Sequence, residues 1–213
     1  MWIALVLTGV MTGIATGPVL HLLPEPATTE PKRPYRELAT VGFAALVTAC
    51  SMLALGVVAA RLPAEAWPIW IALATVGVLL AAIDAMTTYL PYRLTVALWA
   101  FGLVGTGVSV ALSDEPASLL MRIALGAIGA WVFFWLFWRL SRGSIGFGDV
   151  RLAPVLGGVT ASVSGDLVLT GLLIGTLVGA AHGLLLRARG KGGPFPYGPA
   201  LVIGSFVALA LLG

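Results

Sequence analysis

The chain has 213 residues, of which 59% are apolar or aromatic and 10% are charged. A soluble domain is about 25% charged, and a chain of this size cannot hide so much apolar surface from water. Composition therefore excludes a soluble globular protein and a disordered tail. The net charge of +3 is too small for a nucleic-acid-binding module, and a single cysteine, Cys50, excludes a cysteine-rich zinc site.

Apolar segments long enough to cross a bilayer follow one another along the chain. A spanning helix needs about 20 apolar residues, and we predict eight such segments with short connections. They cover approximately residues 2–23, 37–60, 67–90, 92–112, 118–138, 149–162, 167–187 and 198–212. The sixth is short and rich in glycine, which is typical of a tilted or partly re-entrant element. The sequence thus predicts an all-α, polytopic integral membrane bundle that forms one membrane-embedded domain over residues 1–213.

The distribution of basic residues predicts how these spans are oriented. The odd-numbered connections carry ten of the twelve basic residues, and the even-numbered connections carry Arg61 and Arg122. The ten are Lys32, Arg33, Arg36, Arg93, Arg139, Arg142, Arg151, Arg187, Arg189 and Lys191. Because positive charge stays on the cytoplasmic side, we expect the odd connections to face the cytoplasm and both termini to face outward.

Glycines recur at four-residue intervals in the first and seventh segments. The two sets are Gly9, Gly13 and Gly17, and Gly171, Gly175, Gly179 and Gly183. Residues at this spacing share one helix face, and small residues let helix backbones approach closely in lipid. We expect both helices to pack tightly against a neighbour.

Seven of the nine acidic residues fall in or beside predicted connections, where solvation explains them. Asp84 instead interrupts an apolar run, and Pro91 predicts that its helix stops near Leu90. Asp84 would then lie about 9 Å below the cytoplasmic end of the helix. An acid at that depth is costly and is a candidate for a functional site. The alternative is a purely structural role, in which the carboxylate of Asp84 pairs with a nearby side chain such as that of Arg93 or Thr88.

Asp149 is the second unexplained acid, at the start of the sixth segment in the run Gly146-Phe147-Gly148-Asp149. Aspartate is a favoured helix N-cap, which provides a structural alternative. The two glycines indicate a backbone that bends or lets another chain come close. The third span runs toward the cytoplasm and the sixth runs away from it, so the two acids are predicted to lie at one membrane face.

Two carboxylates brought close together cannot both ionise easily, so one keeps a proton at working pH. Such a pair can take a proton from a water molecule that attacks a peptide carbonyl, and can protonate the leaving group. Because a helix N-terminus stabilises an anion, the sequence favours Asp149 as the ionised member and Asp84 as the protonated one.

Three motifs resemble those of the type IV prepilin peptidase family. Residues 84–91, Asp-Ala-Met-Thr-Thr-Tyr-Leu-Pro, resemble its first aspartate motif. Residues 146–152 are similar to its Gly-x-Gly-Asp motif, in which a basic residue and a leucine follow. Residues 196–199, Pro-Tyr-Gly-Pro, are similar to its third signature, where phenylalanine is usual at the position of Tyr197. The matching positions outside the aspartate pair are Pro91, Gly146, Gly148, Pro196, Gly198 and Pro199.

The resemblance implies a membrane aspartic endopeptidase of the bacterial plasma membrane, with its active site at the cytoplasmic face. Such enzymes cleave the leader peptide of type IV prepilins and pseudopilins after a glycine. The implied catalytic residues are Asp84 and Asp149, and Gly146 and Gly148 would form a mobile turn beside the second of them. The expected partners are these substrates and membrane lipids, with no metal ion, cofactor or nucleic acid.

The first connection departs from the pattern of longer family members. Those carry a large cytoplasmic insertion there, with zinc-binding Cys-x-x-Cys pairs, and also methylate the new N-terminus. In this chain the loop covers only about residues 24–36 and has no cysteine. We therefore expect a short-form peptidase without N-methyltransferase activity.

Three alternatives remain open from the residues. One is an intramembrane protease of the presenilin or signal-peptide-peptidase kind, although its Pro-Ala-Leu-Pro type signature is absent. A second is a small transporter in which the two aspartates relay protons. A third is an assembly scaffold that keeps the fold without catalysis.

Overall fold

The computed structural model describes residues 2–25, 33–141, 146–190 and 196–213. Within these ranges the chain folds into the helices α1 (Trp2–Leu22), α2 (Val41–Arg61), α3 (Trp67–Ala72), α4 (Val78–Thr87), α5 (Tyr92–Leu112), α6 (Pro116–Leu140), α7 (Phe147–Ala161), α8 (Gly165–Ala188) and α9 (Gly198–Leu212). A π-helical segment, Leu73–Gly77, joins α3 to α4 in one continuous rod. The helices therefore form eight rods, in the order predicted.

Six helical stretches in the described part of the chain are long and apolar enough to cross a membrane. The helices α7 and α9 have 15 residues each and measure about 22 Å, which is less than a hydrocarbon core of about 30 Å. Large apolar side chains such as Leu125, Phe133 and Phe137 point outward from α6. The prediction of an all-α membrane bundle is confirmed, and the chain is a multi-pass membrane protein.

The rod that carries Asp84 runs through the centre of the bundle. Trp70, Leu73, Leu80 and Ile83 lie along it and have no exposed surface. At the end of the bundle opposite Asp84, the indole Nε1 of Trp70 donates a hydrogen bond to Oγ of Ser162 at 3.3 Å, linking the rod to the residue after α7. Helices α1, α2, α5, α7 and α9 contact this rod along its length, and the start of α9 lies against the end that carries Asp84.

Glycines set the closest contacts between rods, as the four-residue spacing predicted. Gly9 and Gly13 of α1 face Met52 and Thr48 of α2, where an added Cβ would overlap those side chains. At Gly17, by contrast, no described atom of another residue comes within 4 Å of an added Cβ.

The same principle joins α8 to α9 and α6 to α7. A Cβ on Gly175 would lie 2.9 Å from the backbone of Leu201 in α9. Gly126 and Gly157 meet backbone to backbone between α6 and α7, so that a Cβ on either would overlap the other. Helix α9 also packs against α4, and α7 packs against the π-helical segment that precedes α4.

The rod of Asp84 ends three residues earlier than predicted. Helix α4 stops at Thr87 rather than near Leu90, because Thr88 adopts a left-handed backbone conformation with φ of 55°. Its N–H donates to the carbonyl oxygen of Asp84 at 2.7 Å, which is an αL-type helix end. Asp84 therefore lies in the last turn, about 4.5 Å from the helix end, and the predicted depth of about 9 Å was wrong.

The first connection is also more ordered than predicted. Residues Tyr35–Leu38 form a 3-10 helix, and α2 begins at Val41 rather than at residue 37. The side chain of Thr40 caps α2 by accepting a hydrogen bond from the N–H of Phe43 at 3.2 Å. Residues 26–32 of the predicted short loop lie outside the described residues, as do Arg142 and Lys191 in the later loops.

Candidate active site

The two acids singled out by the sequence lie at the same end of the bundle. Asp84 is in the last turn of α4 and Asp149 is in the first turn of α7. Both are buried, with 4% and 5% of their surface exposed. Their carboxyl groups are close enough to interact electrostatically. The fold thus brings together two acids that are 65 residues apart in the chain (149 − 84).

A backbone donor from the third motif holds the first acid. The N–H of Gly198, the first residue of α9, donates to Oδ2 of Asp84 at 3.0 Å. A helix N-terminus favours a negative charge, so Asp84 has the anion-stabilising environment that the sequence attributed to Asp149 alone. The sequence favoured Asp84 as the protonated member of the pair, whereas this donor, from a helix 114 residues further along the chain, favours its ionised form.

Leu90 connects all three motifs. A Cβ added to Gly148 would lie 3.0 Å from Cδ1 of Leu90, and a Cβ added to Gly198 would lie 3.7 Å from the same atom. The leucine of the first motif therefore fits between the glycines of the second and third motifs. The absence of side chains at these two glycines provides the room for this packing.

Gly146 differs from Gly148 in what surrounds it. It is the N-cap of α7 with φ of −67° and ψ of 140°, values open to any residue. A Cβ there would lie 3.6 Å from Oδ2 of Asp149, an ordinary contact distance. The mobile turn expected at these glycines stays a prediction.

The prolines of the motifs lie at helix starts. Pro91 is the N-cap of α5. Pro199 follows Gly198 in the first turn of α9, where the missing N–H of proline leaves no intrahelical hydrogen bond unmade. Pro196 lies just before that helix and is half-buried. These residues shape the backbone around the acids and bring no reactive group.

Tyr197, where the resembled family usually has phenylalanine, packs its ring directly on Gly179 of α8. Its side chain also forms a hydrogen bond with Thr176. The predicted glycine ladder of α8 thus supports the third motif: the missing side chain at Gly179 lets the aromatic ring reach the helix. These contacts hold the start of α9 in place beside Asp84.

Arg151, the basic residue that follows Asp149, binds two aromatic rings. Its guanidinium carbon lies 4.9 Å from the centroid of Tyr92 and 4.9 Å from that of Phe147. The indole of Trp99 donates to the carbonyl oxygen of Arg151 at 3.0 Å. The cation–π pair and this hydrogen bond tie α5 to the first turns of α7, which positions the turn that carries Asp149.

Sequence reasoning missed one residue near the acids, Tyr35 in the first connection. It is fully buried, and its short helix packs against α1 and α4. The only signal in the sequence was an aromatic residue within a polar loop. Among the residues that the structure describes, no group of three or more His, Cys, Asp or Glu side chains is placed to hold a metal ion.

The fold and the site together define a polytopic helical membrane protein with a buried pair of carboxyl groups at one end of its bundle. The chain belongs to the type IV leader peptidase family, whose profile matches residues 71–184, more than half of its length. The matched region contains Asp84 and Asp149, and the third motif lies beyond it.

Curated relatives are similar over much of the chain. A protein of Burkholderia pseudomallei (strain 1026b) named prepilin leader peptidase/N-methyltransferase is 36% identical over 171 residues, which are 74% of this chain and 52% of the relative. Proteins with the same name from Xanthomonas campestris pv. campestris and Pseudomonas aeruginosa are 34% and 33% identical, over 61% of this chain and 45% and 44% of their own lengths. The chain thus spans about half the length of these relatives. No solved structure matches it.

Proposed function

We propose that the protein is a membrane aspartic endopeptidase that removes the leader peptide of type IV prepilins or pseudopilins. The observation that carries this proposal is the burial of Asp84 and Asp149 within electrostatic range of each other, in a chain of the type IV leader peptidase family. Relatives named prepilin leader peptidases support the substrate class. In this proposal residues 1–213 act as one peptidase domain in the bacterial plasma membrane.

The geometry supports distinct roles for the two acids. Because the N–H of Gly198 donates to Asp84, and such a bond favours the carboxylate over the acid, we assign the general base to Asp84. It takes a proton from the water whose oxygen adds to the scissile carbonyl carbon. Asp149 holds the shared proton and gives it to the amine nitrogen as the carbon–nitrogen bond breaks. Transfer of the proton from Asp84 to Asp149 restores the pair.

The position of the site supports cleavage at the cytoplasmic face. Tyr35, Leu90, Gly146 and Tyr197 come from the first, third, fifth and seventh connections, and the contacts above place all four connections around Asp84 and Asp149. These odd-numbered connections carry ten of the twelve basic residues. By the positive-inside rule they face the cytoplasm, so the acids would meet a prepilin leader there.

The first connection supports a peptidase without N-methyltransferase activity. The 18 residues between α1 and α2 (41 − 22 − 1) contain no cysteine. The one cysteine of the chain, Cys50, lies within α2 and is exposed on its surface. The chain therefore lacks the Cys-x-x-Cys pairs that longer members carry in this connection, although the names of its relatives include that second activity.

The test replaces each acid separately by asparagine and measures leader cleavage of a prepilin in membranes. Asp166→Asn is the matched control, because Asp166 lies in the first turn of α8 at the opposite end of the bundle. We expect both Asp84→Asn and Asp149→Asn to lose cleavage and Asp166→Asn to retain it.

Other outcomes distinguish the alternatives. Full cleavage by either active-site variant would overturn the proposal. Proton-linked flux without proteolysis would indicate a transporter. A product cut within the apolar helix of the substrate, identified by its mass, would indicate an intramembrane protease of the presenilin kind.

A further inference from the structure

The first connection folds back onto the rod that carries Asp84. Its 3-10 helix, Tyr35–Leu38, packs against α1 and α4. Tyr35 and Leu38 are 0% and 1% exposed, which makes them as enclosed as the bundle core. The connection is therefore part of the folded structure around the acids.

Glu25 fixes the position of this helix. Its carboxylate accepts hydrogen bonds from the N–H of Tyr35, at 2.9 Å, and from the N–H of Arg36, at 3.4 Å. These N–H groups belong to the first turn of the 3-10 helix, which has no other side-chain cap. On the other side the connection runs directly into the capped start of α2. The ring of Tyr35 is thus held from both directions.

The hydroxyl of Tyr35 has no hydrogen-bond partner among the described residues, although it is shielded from solvent. A buried polar group without a partner is unfavourable and calls for an explanation. Two serine hydroxyls share this property, but Ser51 lies in the middle of α2 and Ser109 lies toward the opposite end of α5. Of the three, only Tyr35 interacts with an acid of the candidate site.

The surroundings of this hydroxyl keep it protonated. Burial raises the pKa of Tyr35 well above its ordinary value, and neighbouring ionisable groups add to the rise. Those neighbours are Tyr89, Glu25 and Asp84. A phenol that stays neutral near Asp84 is a permanent hydrogen-bond donor, and no described residue supplies an acceptor for it.

We propose that Tyr35 is a further catalytic residue, whose hydroxyl donates a hydrogen bond to the carbonyl oxygen of the scissile peptide bond. This inference rests on the proposed peptidase function. The chemistry requires such a donor at one point. When water adds to the carbonyl carbon, the C=O electron pair moves onto the oxygen, and Asp84 takes the proton of the water.

Asp149 keeps its own proton for the leaving amine, so neither acid stabilises the oxyanion. The hydroxyl of Tyr35 supplies that hydrogen bond without transferring its proton. When the oxyanion returns to a carbonyl, the carbon–nitrogen bond breaks and the amine nitrogen takes the proton of Asp149. The products are the leader carboxylic acid, which then ionises in water, and the new N-terminus of the mature protein.

A peptide that reaches the two acids also reaches the hydroxyl of Tyr35. Tyr35, Asp84 and Asp149 are all enclosed to a similar degree, so any peptide that reaches the carboxyl groups requires the helix ends around them to open. Because the 3-10 helix lies directly against α4, the opening that exposes Asp84 also exposes Tyr35.

The test is Tyr35→Phe, which keeps the ring and removes only the hydroxyl. Ser109→Ala is the matched control, because it also removes a buried hydroxyl that has no partner among the described residues, but toward the end of α5 away from the acids, and it should cleave at the wild-type rate. The measurements are kcat and KM for prepilin cleavage and the midpoint of thermal unfolding. We expect kcat of Tyr35→Phe to fall about 100-fold, as on removal of one oxyanion donor. KM should change little, and the midpoint should stay equal or rise, because an unpaired buried hydroxyl has been removed.

Two results would overturn this assignment. One is a kcat for Tyr35→Phe that matches wild type. The other is a loss of activity with a lowered unfolding midpoint, which would show that the hydroxyl serves the fold. The two proposals are distinguished by assaying wild type and Asp84→Asn alongside Tyr35→Phe. If wild type cleaves no prepilin, both proposals fail; if wild type and Tyr35→Phe cleave equally while Asp84→Asn does not, only the role of Tyr35 fails.

Discussion

The backbone N–H of Gly198 donates a hydrogen bond to Oδ2 of Asp84 at 3.0 Å. This contact joins the N-terminus of α9 to the last turn of α4. A Cβ at position 198 would lie 2.9 Å from the same carboxylate oxygen, which is too close for both atoms to stay in place. The glycine of the third motif is therefore required by its contact with the acid.

The first prediction concerns Gly198→Ala. The added methyl group would push the carboxylate of Asp84 away from its donor. Because small displacements of a reacting group cost about 100-fold in rate, we expect prepilin cleavage to fall by about that factor. The measurement is the rate of leader removal in membranes containing matched amounts of the two proteins.

Gly165→Ala is the control for that variant. Gly165 is also the first residue of a helix, α8, and no described atom of a non-adjacent residue lies within 4 Å of an added Cβ. We expect Gly165→Ala to cleave at the wild-type rate. Equal activity of Gly198→Ala and Gly165→Ala would show that the contact with Asp84 has no catalytic importance.

The second prediction separates the two glycines of the Gly-x-Gly-Asp motif. In Gly148→Ala the new Cβ would lie 3.0 Å from Leu90, whereas in Gly146→Ala it would meet only ordinary contacts. We expect Gly148→Ala to lower the cleavage rate clearly and Gly146→Ala to remain near wild type.

A double variant tests the cause of this difference. If the loss comes from crowding against Leu90, then Gly148→Ala combined with Leu90→Ala should be more active than Gly148→Ala alone, because contacting residues show non-additive effects. Similar losses in both single glycine variants would instead indicate that the motif needs backbone mobility.

The third prediction concerns the contact between α6 and α7. An alanine at Gly126 would overlap the backbone of Gly157, so Gly126→Ala should lower the free energy of unfolding by about 1–3 kcal/mol, as overpacking does. Gly129, one turn along α6, has open space around an added Cβ, and Gly129→Ala should be neutral or stabilising. Unfolding of both variants in the same detergent measures the difference. Equal unfolding midpoints for Gly126→Ala and Gly129→Ala would contradict the close contact between Gly126 and Gly157.

The fourth prediction concerns Glu25, which holds the helix of Tyr35 through two backbone N–H groups. Glu25→Ala should free this helix and lower the cleavage rate, because the hydroxyl of Tyr35 loses its fixed position. In the double variant with Tyr35→Phe the losses should not add, since both changes remove one hydrogen bond to the substrate. The four cleavage rates of the double-mutant cycle measure this coupling. Full additivity would show that Glu25 acts independently of Tyr35.

Hydropathy, charge and local motifs account for most of the fold. Lipid requires each spanning segment to satisfy its own backbone hydrogen bonds, so long apolar runs become helices whatever their neighbours are. The errors were at helix ends: α4 stops at Thr87 and α2 starts at Val41. The left-handed turn at Thr88 was not visible in the sequence, because a β-branched residue rarely adopts that conformation.

The sequence by itself determined that the chain is a helical membrane bundle. It also singled out Asp84 and Asp149 as the two acids that solvation in a connecting loop does not explain. It also placed them at one end, because helix direction alternates with each span. Only the tertiary structure decided what surrounds them. The donor from Gly198, at the start of α9, and the hydroxyl of Tyr35, in the first connection, come from parts of the chain far from Asp84, and no local pattern encodes such contacts. The contacts around the acids depend on how closely the helices approach one another. Close backbone contacts at glycines such as Gly126 and Gly175 determine these distances.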